Sequence, residues 1–143
     1  EVALLAILRQ HSDAALATLR TFNHALPEKA SDISIMVHLS QDSDGMFSVM
    51  IHLNGPDLYV LNKAIQDCRT LFDVRYVGGQ LTPKVPTFGQ DEAACEVNDV
   101  IVDTCVIWLQ ELWRRFGGTT RGLPAFVTGE DGYGSKAGVR LIA

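Results

Sequence analysis

The segments Ile33-Ser-Ile-Met-Val-His-Leu39 and Phe47-Ser-Val-Met-Ile-His-Leu53 carry the same alternation twice. Apolar residues fall on one parity, and Ser, Met and His on the other. Successive side chains of a strand point to opposite faces, so this period of two predicts paired strands with one apolar face. The intervening Ser40-Gln-Asp-Ser-Asp-Gly45 supplies turn residues, and the whole stretch reads as a β-hairpin. Matching the apolar faces sets Leu39 opposite Phe47, His38 opposite Ser48 and His52 opposite Ser34. The two imidazoles then start four residues apart along the sheet, roughly 13 Å. On that spacing one metal ion cannot bridge them, and the expectation is two separate surface histidines with no metal site.

Helical periodicity flanks the hairpin. From Val2 to Leu26, Leu4, Leu8, Ala15, Leu19, Phe22 and Leu26 recur at spacings of three, four and seven, with a break expected at His11-Ser12. Asn54-Gly55-Pro56-Asp57 opens a second helix, with Leu58, Leu61, Ile65, Cys68 and Phe72 as its expected buried stripe. A short strand follows at Val74–Val77, and two prolines make the segment up to Gln90 loop or edge strand. A long helix is expected from Asp91 to Phe116, stopped by Gly117-Gly118; its turn Cys105–Leu109 is apolar all round and should be buried on most sides. Short strands at Ala125–Thr128 and Val139–Ile142 close the pattern. The order α-β-β-α-β-α-β-β describes one α+β domain over residues 1–143, a mostly antiparallel sheet packed against about three helices.

With a formal charge of −5, nucleic acid and anionic membranes are poor partners, since the one basic cluster, Trp113-Arg114-Arg115 with Arg121, is a thin electrostatic footprint. No apolar run reaches the ~18 residues of a membrane span. Cys68, Cys95 and Cys105 form no CxxC or Cys/His pattern, so free thiols in a reducing, cytoplasmic compartment are expected.

Near the end, Gly129-Glu-Asp-Gly-Tyr-Gly-Ser-Lys-Ala-Gly138 has the letters of a phosphate cradle but not its mechanics. A working loop places Lys before Ser or Thr and opens a helix whose N-terminus faces the anion. Here the order is Ser135-Lys136, a strand pattern follows, and Glu130 and Asp131 would repel phosphate. A hairpin loop is the better reading, and no cofactor is implied. Asp42-Ser-Asp-Gly45 likewise lacks the closing Glu of a calcium loop. No nucleophile, base and orienter assemble from spacing alone, so no catalytic residue is assigned.

Glu92, Glu96, Asp99 and Asp103 step by four, three and four along one face of the long helix. Glu96, Asp99 and Asp103, with Glu130, Asp131 and Tyr133 of the Gly-rich loop, are the expected partner-binding residues, suited to a basic protein. Leu123-Pro-Ala-Phe-Val-Thr-Gly-Glu-Asp-Gly-Tyr-Gly134 with Val139-Arg-Leu-Ile142, and the phrase Gly55-Pro-Asp-Leu-Tyr-Val60, resemble a bacterial domain family of unknown function. That resemblance implies no activity. In size and charge the chain is also similar to immunity proteins, which neutralise basic nuclease-type toxins. The leading expectation is a non-catalytic protein-interaction domain. Its rivals are a homodimer through the Met36/Met50 face, and a small-molecule-binding domain or enzyme with its pocket between the Ser/Met/His face and the Gly-rich loop, with His38, His52 and Tyr133 as polar groups.

Overall fold

The computed structural model describes residues 2–39, 46–77, 80–83, 94–134 and 138–143. Helices α1 (Val2–Gln10) and α2 (Ser12–Ala25) are separated at His11, where the break is expected. The His11 ring Nδ1–H donates to the Ile7 carbonyl at 2.9 Å, so the imidazole closes the turn it interrupts. Strands β1 (Asp32–Leu39) and β2 (Phe47–Asn54) form the hairpin in the expected register, Leu39↔Phe47, His38↔Ser48 and Ser34↔His52. Helix α3 (Leu58–Ala64) is short, with Asp57 capping it by accepting from the Val60 N–H.

The expected stripe of this second helix is corrected in two places. Leu58 is 56 % exposed, and Phe72 belongs to strand β3 (Thr70–Asp73) after a 3₁₀ turn at Gln66–Cys68. Leu61, Ile65 and Cys68 are buried as expected. Strands β4 (Arg75–Val77) and β5 (Gln80–Thr82) make a separate antiparallel pair. Helix α4 (Ala94–Phe116) leads to β6 (Ala125–Gly129), a 3₁₀ turn at Glu130–Gly132, and β7 (Val139–Arg140). In the apolar turn of α4, Cys105, Trp108 and Leu109 are buried, but Ile107 is 51 % exposed.

The main sheet has the order β3-β2-β1-β6-β7. All its pairings are antiparallel except β1 with β6, so the sheet is mixed, with the hairpin's first strand at its centre. Its apolar face, Ile33, Ile35, Val37, Val49, Ile51, Leu53, Ala125 and Val127, is buried in one core with Leu8, Leu19, Phe22, Trp108 and Leu112 of α1, α2 and α4. The α+β layering is therefore as expected, with four helices. Among the described residues no helix is long and apolar enough to cross a membrane, and Cys68 and Cys105 are free, buried thiols.

The Gly-rich segment joins two antiparallel strands, Phe126↔Arg140 and Val127↔Val139. Gly132 and Gly134 take φ of 80° and 106°, values that L side chains disfavour. Ser135 and Lys136, like the hairpin loop 40–45, lie outside the described residues.

Candidate functional site

The outward parity of the hairpin, Ser34, Met36 and His38 facing Ser48, Met50 and His52, is half-buried throughout. The two histidines keep the ladder positions set by the register, but their side chains do not stay apart. His38 Nε2 lies 3.0 Å from His52 Nε2, with ring centroids 5.2 Å apart. The expectation of two isolated histidines is thus corrected. Each ring leans along the strand toward the other, across the Met36↔Met50 pair that separates them in the ladder. Backbone spacing was a poor guide because each imidazole spans several ångströms beyond its Cα.

Both outer nitrogens are engaged. His38 Nδ1 lies 2.7 Å from Glu130 Oε2, and His52 Nδ1 lies 2.6 Å from an Arg69 amino group. Arg69 is held by Nε donating to the Ile51 carbonyl at 3.2 Å, while the Ile51 N–H donates to the Arg69 carbonyl at 2.7 Å. One proton arrangement satisfies every contact. Arg69 can only donate, so His52 Nδ1 accepts and its Nε2–H donates to His38 Nε2. His38 Nδ1–H then donates to the Glu130 carboxylate. The result is a directed chain, Arg69 to His52 to His38 to Glu130, with both imidazoles neutral. An extra proton on either ring sets donor against donor.

Burial, then the Arg69 charge, then His38 lower the His52 pKa from its ordinary value to about 4. The folded pKa lies below the unfolded one, so this group's stabilisation is present above about pH 6.5. It is lost as pH falls through about 4. After discounting for solvent screening, the loss should be about 1–2 kcal/mol. Urea denaturation at neutral and mildly acid pH should show His52→Gln less acid-sensitive than wild type by that amount. Equal acid sensitivity would refute the assignment.

Glu130 reaches His38 because its loop is pinned from below. The Gly134 N–H donates to Asp99 Oδ1 at 2.7 Å. Gly129 packs so closely on the Tyr133 carbonyl and Val102 that no Cβ would fit. Tyr133 is half-buried against the core, and Asp131 is exposed in the left-handed region at φ 56°. Of the acidic residues expected to bind a partner, Asp99 therefore anchors the loop and Glu130 pairs with His38. Asp103 is half-buried near Gly134. Glu96 lies on α4, and its side chain is outside the description, as is Glu92. Arg69 was missed by sequence reasoning. It lay inside the expected helical stripe, between Cys68 and Phe72, where a polar residue carries no signal of a site.

Two further features belong to this face. Thr128, opposite Met36 in the β1–β6 ladder, has a buried Oγ1 with no hydrogen-bond partner among the described residues. Buried polar atoms of this kind are uncommon in folded proteins. Beside His38 a cavity of about 260 Å³ is lined by Leu39, Met46, Phe47 and Val74, with Ser48 and Asp73 as its other polar groups. A larger cavity of about 420 Å³ lies between Trp113, Leu123 and Arg140, with Arg140 as its one charged side chain among the described residues. Among the described residues no three His, Cys, Asp or Glu side chains converge as a metal cage.

A family model described as "Family of unknown function (DUF6389)" matches residues 1–143, and the chain belongs to that family. No curated protein and no solved structure matches it.

Proposed function

We propose that this member of the DUF6389 family is a non-catalytic ligand-binding domain, its site the outer sheet face between Arg69 and Glu130. The observation that carries the reading is the chain of contacts joining the hairpin face to the Gly-rich loop through His38 and Glu130 at 2.7 Å. Hydrogen-bonding groups converging beside an apolar cavity are the usual composition of a small-molecule site. The orphan Thr128 hydroxyl on the same face supports it. The cavity suits a small molecule whose apolar body meets Leu39, Phe47 and Val74 and whose polar group meets Ser48, Asp73 and His38.

Catalysis is disfavoured by what His38 already does. Ser48 faces it in the ladder and Glu130 orients it, the makings of a hydrolytic triad. A base must present its free nitrogen to the nucleophile, however, and His38 Nε2 is committed to His52.

A second reading, the protein-interaction domain, is favoured by the run Leu58-Tyr59-Val60, exposed by 56, 72 and 58 %. A single experiment separates the two. NMR spectra of the labelled chain with a library of small polar metabolites should show shifts at His38, His52, Ser48 and Asp73, lost in His38→Gln. If none responds, and residues 58–60 shift instead as protein concentration rises, the interaction reading replaces the ligand reading.

A further inference from the structure

We propose that His38 Nε2 and His52 Nε2, together with the Met36 and Met50 thioethers between them, bind a single copper(I) ion. The inference rests on the ligand-binding reading of this face and adds to it a metal ion beside the cavity. Two imidazole nitrogens 3.0 Å apart are close to the span of one ion. With metal–nitrogen bonds of about 2.0 Å, a few tenths of an ångström of opening gives a tetrahedral angle. The ladder sets Met36 directly opposite Met50 in the row between the histidines, so two thioethers share the face on which the rings meet. Soft thioether donors select copper(I) over harder divalent ions. With the two imidazoles they make up a four-donor set.

The surroundings bear on the two rings unequally. His38 donates Nδ1–H to Glu130, as metal-bound histidines do to an outer carboxylate, so its Nε2 is unprotonated and the lone pair it now shares with the His52 N–H is the one the ion would take. His52 stands in the other tautomer, with Nε2–H toward His38 and Nδ1 toward Arg69. Metal binding moves that proton from Nε2 to Nδ1, with no net gain or loss, and Arg69 must then turn from Nδ1. Arg69 therefore opposes the ion.

The test is an anaerobic titration of the full chain with copper(I) against a chromophoric chelator, with zinc(II) in parallel. One copper(I) per chain is expected, held more tightly than zinc(II). His38→Gln and His52→Gln should each weaken binding by about 100-fold or more, and Glu130→Gln by about 10-fold. Met50→Leu, which preserves volume, should weaken copper(I) by about 10-fold and leave zinc(II) unchanged. Arg69→Gln, whose carbonyl accepts from Nδ1–H, should tighten it. No binding in wild type, binding indifferent to both histidine variants and so held by thiols, or a preference for zinc(II) overturns the proposal. If copper(I) fails while small molecules still shift His38 and His52, the ligand reading stands and the metal falls.

Discussion

Trp108→Ala should cost about 4 kcal/mol of folding free energy, the largest loss from any single truncation in the core. Trp108 is fully buried on α4 and meets Phe72 of β3 edge to face, at 6.0 Å between centroids. Its Nε1–H donates to Ser12 Oγ at 3.0 Å, at the start of α2. One side chain thus ties three elements, and cutting it to Ala leaves a cavity while stripping a buried hydroxyl of its donor. Typical domains have about 5–15 kcal/mol in all, so the melting temperature should fall by about 10–20 °C. Trp108→Phe keeps an aromatic against Phe72 and loses the hydrogen bond, so it should cost about 1–2 kcal/mol. Urea denaturation of both variants measures the split. Equal losses would mean that the hydrogen bond, and not the packing, dominates.

Gly129→Ala should cost about 2–3 kcal/mol and also dismantle the His38–Glu130 contact. The backbone of Gly129 is ordinary, at φ −88°. Space is what forbids a side chain there. A Cβ would collide with the Tyr133 carbonyl oxygen and lie 2.8 Å from Val102 Cγ2. The first obstacle is backbone and cannot swing aside, so the loop must lift and carry Glu130 with it. Gly132→Ala is the control. Nothing lies within 4 Å of its Cβ position, and only its φ of 80° is strained. It should cost about 1 kcal/mol and leave Glu130 in place. Imidazole nitrogen shifts of His38 report the contact directly. Unchanged shifts and stability in Gly129→Ala would refute this account of how the loop is seated.

The two variants probe parts of the molecule that differ in how far the chain announces them. Trp108 was visible as a core residue from the apolar turn Cys105–Leu109 alone, whereas its link to Ser12 spans 96 residues. The segment after α3 misled because Leu58, Leu61, Ile65, Cys68 and Phe72 fit helical spacing, although Thr70–Asp73 pairs with β2. There the sheet edge won over local periodicity, as tertiary context often does. In the site, His38 and His52 were legible as sharing a face, and even their ladder partners were right. Their meeting was not, since side-chain lean is set by what else occupies the face.

By itself, the amino-acid order determined the hairpin, its register, the stripe of α1 and α2 and the turn at the glycines, because each depends on the pattern of residues over a short stretch. Only the tertiary structure decided that β6 enters parallel beside β1, and that Glu130 and Arg69, 92 and 17 residues from their partners, terminate one hydrogen-bonded chain. Those choices follow from packing one face of the sheet under three helices at once, a condition on the whole chain that no short window contains.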